Sequence, residues 1–161
     1  MVKARVSDRT RCHGELAPEA LAELIRSLLA DGMSAEVEVT GSSMWPFIRS
    51  GDVITLEPGE PRIGDVAAVV DPDRRLLVHR VVARDRGAWL TRGDASGGAD
   101  PPVEAADLVG SISAVTRDGE PLAIGLGAGK RVLAILSRLG WLAPLMRVAA
   151  RVKPGDRRKP Q

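Results

Sequence analysis

Ser43 lies in the segment of this sequence that is best suited to nucleophilic chemistry. It follows Gly41 at the end of a predicted strand, in a tight turn whose exit Pro46 fixes. Such a turn exposes a hydroxyl beside free backbone N–H groups, which could hold the developing oxyanion of an acyl-transfer reaction. Taken alone, a Gly-Ser-Ser turn is more often only a turn, so this interpretation needs further residues.

A serine nucleophile needs a base, and His79 is the candidate because the other histidine, His13, lies in a polar N-terminal stretch. His79 alternates with apolar residues over 76–82, so a half-buried histidine without a chemical role is the competing interpretation. Asp94 and Asp100 flank a Gly- and Ser-rich loop, and either carboxylate could accept the imidazole N–H. Because Asp and Gly are also ordinary turn residues, the loop alone does not decide the question.

Hydrophobic periodicity predicts the elements that must position these residues. An amphipathic helix begins at Pro18 and ends at Asp31-Gly32. After it, short apolar runs alternate with Gly, Pro and Asp residues, which predicts a compact, mainly antiparallel β domain. The third and fourth strands are expected to form a hairpin. Strands are expected from Ala35, at 53–56, 66–70 and 76–83, from Trp89, and at 108–116.

The chain is expected to divide into four parts. Residues 1–15 are predicted to be a flexible tail, and residues 16–124 the β domain with its leading helix. Residues 125–152 are predicted to form a basic amphipathic helical segment, and residues 153–161 a disordered tail. The basic helix at 130–152 is expected either to make peripheral contact with a membrane or to pack on the β domain or on a partner.

Composition narrows the classes of function. The net charge of +2 over 161 residues argues against a nucleic-acid-binding protein, which usually has a concentrated basic face. The single cysteine, Cys12, allows neither an internal disulfide nor a multi-cysteine zinc site, and neither a metal nor another cofactor is expected. No signal peptide and no apolar run of about 20 residues is recognised, so a cytoplasmic or membrane-peripheral protein is predicted.

Six blocks of residues follow one another in an order that is far more specific than any single block. This order resembles the type I signal peptidase superfamily, which also includes self-cleaving repressors of the SOS type. The resemblance runs from about Val37 to Val115, about half of the chain. The blocks are Gly41 to Pro46, Ile48 with Gly51 to Ile54, Ile63 to Val66, His79 to Val82, Thr91 to Asp94 with Asp100, and Asp107 to Gly110.

The resemblance implies the β fold of these peptidases and a serine endopeptidase that cleaves leader or signal peptides after small residues. Most bacterial members carry a lysine where this chain has His79, which resembles the Ser/His branch of endoplasmic-reticulum and archaeal signal peptidases. In that branch, aspartates at the positions of Asp94 and Asp100 support the histidine. The resemblance favours Asp100 as the partner of His79 and Asp94 as a structural or supporting carboxylate.

The resemblance also implies how the oxyanion is held. The N–H group of Ser43 is the expected donor. Many relatives add the hydroxyl of a serine two positions before the nucleophile, where this chain has Gly41. Ser42 is therefore a candidate replacement donor. Arg80, which follows the histidine, is expected to be a structural ion-pair partner.

Two other classes of function remain as alternatives to a peptidase that acts on a peptide or protein substrate. A non-catalytic peptide-binding module could share the fold. A self-cleaving repressor-like regulator would need an upstream helix-turn-helix, yet residues 1–35 contain one clear helix pattern. Membrane signal peptidases carry an anchor that is not recognised here, which leaves a soluble processing peptidase or an anchor on another subunit as interpretations.

Overall fold

The computed structural model describes residues 3–5, 17–122, 132, 134 and 135. Within these residues, the protein is a mainly antiparallel β-sheet, and one face of the N-terminal helix packs against it. The prediction of a mainly β domain behind an N-terminal helix is therefore confirmed. The elements are helix α1 (Pro18–Ala30) and strands β1 (Lys3–Arg5), β2 (Ala35–Glu38), β3 (Val53–Glu57), β4 (Val66–Val70), β5 (Leu76–Asp85), β6 (Ala88–Arg92), β7 (Leu108–Arg117) and β8 (Glu120–Pro121).

Helix α1 forms because its apolar residues fall on one face and its ends suit a helix. Leu21, Ile25 and Leu29 are buried against the sheet, while the opposite face is polar. Pro18 occupies the first turn, where its missing N–H costs nothing. Gly32 ends the helix with a φ of +77°, a conformation that glycine adopts without strain.

The strands lie in the order β1-β2-β3-β7-β4-β5-β6, and β8 pairs with β7. The predicted hairpin between β4 and β5 is present, with Val66 opposite Arg80 and Val70 opposite Leu76. Strand β7 is inserted between β3 and β4, although it follows both of them by many residues in sequence. Strand β7 thereby joins strand β3 and the hairpin of β4 and β5 into one sheet.

Strand β4 is buried on both faces, which separates two apolar clusters. Val66 and Ala68 belong to the main core, which α1 covers. Ala67 and Val69 belong to a smaller cluster around Trp89. Since residues alternate between faces along a strand, the same separation applies to the neighbouring strand β5.

Residues 3–5 differ from the flexible tail that was expected over residues 1–15. They form β1, antiparallel to β2, with Lys3 opposite Glu38 and Arg5 opposite Glu36. The physical reason is that β2 would otherwise present an unpaired backbone edge, which an extended segment can complete.

The C-terminal predictions lie mostly outside the described residues. Residues 132, 134 and 135 are helical, and Ala134 is buried whereas Val132 and Ile135 are exposed. The remainder of that segment and the tail 153–161 are outside the described part of the chain. Among the residues described, none belongs to a helix with the length and apolarity needed to cross a bilayer.

Candidate active site

The turn that carries Ser43 links β2 to β3. Gly41 begins it with a φ of +113°, which favours glycine. Met44 and Ile48 are buried in the main core, and the Ile48 N–H donates to the Met44 carbonyl at 3.1 Å. These two anchors hold the turn at both ends. Ser43 itself remains exposed.

Three of the predicted site residues form one hydrogen-bonded chain. The Ser43 hydroxyl lies 3.1 Å from His79 Nε2, and His79 Nδ1 lies 2.6 Å from Asp100 Oδ2. The carboxylate oxygen is an acceptor, so the proton of a neutral imidazole belongs on Nδ1. Nε2 is then left with a lone pair that faces the serine hydroxyl, as a general base requires.

Thr91 holds Asp100 in place. Its hydroxyl donates to Asp100 Oδ2 at 2.7 Å, and its carbonyl accepts the Asp100 N–H at 3.1 Å. Thr91 is fully buried on β6, whereas Asp100 is partly exposed. Sequence reasoning did not single out Thr91, although a polar residue at a buried position of a strand was a signal for it.

Asp94 has a different partner from Asp100. Its carboxylate pairs in a bidentate fashion with Arg80, at 2.9 Å from Nε and 2.7 Å from Nη2. Both side chains have no exposed area, and Arg80 Nη1 also donates to the Gly64 carbonyl at 2.9 Å. The Arg80 guanidinium lies 5.7 Å from the ring centroid of Phe47, in the nucleophile turn. Asp94 is thus a structural carboxylate, with Arg80 as its ion-pair partner.

The segment around Asp94 is in direct contact with Ser43. The Ala95 N–H donates to the Ser43 carbonyl at 2.7 Å. A Cβ at Gly93 would lie 2.8 Å from that carbonyl oxygen and 3.0 Å from Ser43 Cβ, closer than packed atoms allow. Only glycine fits this approach, so the segment that carries Asp94 packs directly against the backbone of Ser43.

A second ion pair supports the same turn from its other side. Arg117 donates to both oxygens of Asp52, at 2.7 and 2.8 Å, and to the Phe47 carbonyl at 3.3 Å. The Arg49 N–H donates to Asp52 at 2.7 Å. Burial alone would raise the pKa of the Asp52 carboxyl, but these hydrogen bonds and the charges of Arg117 and Arg49 together lower it below its ordinary value.

Free backbone donors lie at the nucleophile. The N–H groups of Ser43 and Met44 donate to no acceptor within the described residues. They are therefore available to an oxyanion formed at Ser43. Ser42, the other candidate donor, is exposed and does not line the cleft beside the nucleophile.

The cleft beside Ser43 is small and mostly apolar. Its volume is about 50 Å³. Leu77 also lines a larger groove of about 490 Å³, which Thr91 and Asp100 border as well. The small cleft is bounded by Val39, Thr40, Gly41, Met44, Ile48, Leu76, Leu77 and Val78.

Comparison with known proteins leaves the site to be interpreted from its geometry. No protein-family model, no curated protein and no solved structure matches this chain. Among the residues that the structure describes, no group of three or more His, Cys, Asp or Glu side chains is placed to hold a metal ion. Cys12 and His13 lie outside the described residues.

Proposed function

We propose that this protein is a serine endopeptidase that cleaves leader or signal peptides after small residues. The observation that carries the proposal is the hydrogen-bonded chain from Asp100 through His79 to the exposed hydroxyl of Ser43. A half-buried histidine without a chemical role would not need a carboxylate on one ring nitrogen and a serine hydroxyl on the other.

The chemistry follows from the positions of these atoms. Ser43 Oγ attacks the scissile carbonyl carbon while His79 Nε2 takes the hydroxyl proton. The negative charge that develops on the carbonyl oxygen is held by the N–H groups of Ser43 and Met44. His79 then gives its proton to the leaving amine, which leaves an acyl group on Ser43. Water, deprotonated by His79, releases this acyl group, and Asp100 stabilises the imidazolium in both steps.

The size of the cleft supports a preference for small side chains. The cleft has roughly a tenth of the volume of the groove beyond Leu77, about 50 Å³ against about 490 Å³, so it leaves little room for a bulky side chain. Met44, Ile48 and Val78 are buried in the core and wall the cleft, so a larger side chain would displace packed groups.

The substrate is expected to bind as an extended strand. The cleft lies between residues 39–41, beyond the end of β2, and residues 76–78 of β5. The N–H groups of Thr40 and Gly41 donate to no acceptor in the described part of the chain, so they are free for a substrate main chain. The groove beyond Leu77 gives room to the rest of the peptide.

The test combines a serine-reactive fluorophosphonate with a pool of internally quenched peptides. The peptides carry Gly, Ala, Val, Leu or Phe at one central position. We expect the probe to modify Ser43, and the peptides with Gly or Ala to be cleaved fastest. Ser43→Ala should abolish labelling and reduce turnover by at least about 10⁴-fold, because the nucleophile is gone.

The control for this variant is a measurement of its unfolding temperature, which shows whether the fold is retained. Ser43 is exposed, so Ser43→Ala should leave the unfolding temperature unchanged. Cleavage that is equal in the wild type and in Ser43→Ala would contradict the proposal. Peptide binding without cleavage by the wild type would favour the peptide-binding module instead.

A further inference from the structure

Thr40 carries a buried hydroxyl that has no hydrogen-bond partner. In the described part of the chain, the buried side-chain polar atoms without a partner are Arg26 Nε, Thr40 Oγ1 and Trp89 Nε1. Of these three residues, Thr40 is the one that lines the cleft of Ser43. Buried hydroxyls in proteins are nearly always hydrogen-bonded, so an unpartnered hydroxyl at a cleft needs an explanation.

The backbone beside Thr40 is held by the hydrogen bonds of its neighbour Val39. The Val39 N–H donates to the Asp52 carbonyl, and the Val39 carbonyl accepts the Gly51 N–H, each at 2.8 Å. The Val39 side chain is buried in the main core. Thr40 therefore lines the cleft from a backbone that these contacts hold in place.

Thr40 also differs from the donor that the sequence favoured. Ser42 was the candidate to replace the hydroxyl that is missing at Gly41, but Ser42 is exposed and lies outside the cleft lining. Two of the residues that line the cleft carry a hydroxyl, Ser43 and Thr40. Thr40 lies three residues before Ser43.

We propose that the Thr40 hydroxyl donates a hydrogen bond to a main-chain carbonyl oxygen of the peptide in this cleft. The proposal rests on the proposed peptidase function and identifies a further substrate-binding residue. In the free protein this oxygen has less than 1 Å² of accessible area, so the bond forms when the Thr40 side chain rotates towards a bound peptide. Substrate binding thus gains a hydrogen bond without breaking one inside the protein.

The test removes the hydroxyl and keeps the shape of the side chain. Thr40→Val should lower kcat/KM for the best peptide of the pool by about tenfold, as expected for the loss of one hydrogen bond. Thr40→Ser, which keeps the hydroxyl, should restore most of this loss. Because Thr40 Oγ1 has no partner in the protein, Thr40→Val should unfold at the same temperature as the wild type or a higher one. Thr116→Val, at a half-buried threonine of β7 away from the cleft, is the matched control.

The kinetic constants and a binding measurement separate the outcomes. A fall in kcat would assign the hydrogen bond to the scissile carbonyl, and a rise in KM would assign it to a neighbouring one. Wild-type kcat/KM in Thr40→Val, or an equal loss in Thr40→Ser, would overturn the inference about Thr40 alone.

Fluorescence anisotropy with the same peptides, in the Ser43→Ala background, tests binding without cleavage. Weaker binding after Thr40→Val supports the role of Thr40 even if the wild type cleaves no peptide, a result that would overturn only the proposed peptidase. Absence of both binding and cleavage would overturn both proposals.

Discussion

His79 and Arg80 are consecutive residues of β5, yet each pairs with a different aspartate and the two pairs differ in burial. His79 contacts a serine at an open cleft, and its partner Asp100 keeps 18% of its side-chain area exposed. Arg80 pairs with Asp94 at 0% exposure for both side chains. Because neighbouring residues of a strand point to opposite faces, two aspartates of one loop are divided between these faces.

The residue type alone therefore does not determine the role of a carboxylate. In the proposed mechanism, Asp100 orients a base that exchanges protons with the substrate, so His79 has to lie within reach of the cleft. Asp94 neutralises a charge that no solvent reaches, and it fixes the backbone beside Ser43. A buried ion pair adds little net stability over apolar packing, but the loss of one member leaves an unpaired charge.

The largest expected effect comes from the pair of His79 and Asp100, in which Asp100 is partly exposed. In Asp100→Asn, either the amide oxygen or the amide NH₂ takes the position of Oδ2, the atom that both the Thr91 hydroxyl and His79 Nδ1 contact. An amide oxygen there keeps both hydrogen bonds but carries no charge to stabilise the imidazolium. An amide NH₂ there donates to His79 Nδ1. Nδ1 must then accept, so the proton moves to Nε2 and the imidazole can no longer act as a base towards Ser43. We expect kcat to fall by about 10³- to 10⁴-fold with an unchanged unfolding temperature. Peptide turnover and thermal unfolding measure the two quantities, and a variant that keeps its activity would remove the distinction between the two aspartates.

An intermediate effect, on stability, is expected from the buried group. Asp94→Ala leaves the Arg80 guanidinium buried and without its carboxylate partner. We expect the free energy of unfolding to fall by about 3–5 kcal/mol, measured by urea denaturation. The control is Glu60→Ala, which removes an exposed ion pair with Arg84 and should cost less than about 1 kcal/mol. Equal losses in the two variants would show that burial does not separate these ion pairs.

The smallest effect is expected from Asp52 and depends on pH. The pKa of Asp52 is lowered by folding, so its contribution to stability is present above its unfolded pKa, near 3.8, and is lost as the pH falls through the lower folded value. Asp52→Asn should therefore reduce the free energy of unfolding by about 1–3 kcal/mol at neutral pH. The difference from the wild type should shrink below about pH 4, as urea denaturation at pH 7 and pH 3 can measure. If Asp52→Asn lowers the free energy of unfolding equally at pH 7 and at pH 3, the Arg117 ion pair is not the cause of the loss.

The local elements could be predicted from the sequence because they depend on neighbouring residues. The spacing of Leu21, Ile25 and Leu29 predicts α1, and the alternation around Val37 predicts β2, as observed. The strand order could not be predicted, because alternation identifies the buried face of a strand and not the strand beside it. Nothing in the sequence near Leu108 indicates that β7 lies between β3 and β4.

The same limit applies to the site. Ser43 could be selected by turn chemistry and resemblance, and His79 by residue type as well, because the sequence has only two histidines. The partners of Asp94 and Asp100 could not be derived from periodicity, since both aspartates lie in one loop and only the folded sheet separates them. The buried position of Thr91 in a strand signals that its hydroxyl needs a partner, but the sequence does not indicate that this partner is Asp100.

The separations in sequence across the site bear on when it forms. The bond between Ser43 and His79 joins residues 36 positions apart, that between His79 and Asp100 residues 21 apart, and that between Arg117 and Asp52 residues 65 apart. Contacts of such range form slowly, because the chain must close large loops before they are made. During synthesis, β7 can join β3 and β4 only after residue 117 has left the ribosome. Ser43 therefore meets His79 and Asp100 only late in folding, so under the proposed function a nascent chain or a partly folded intermediate would carry an unactivated hydroxyl.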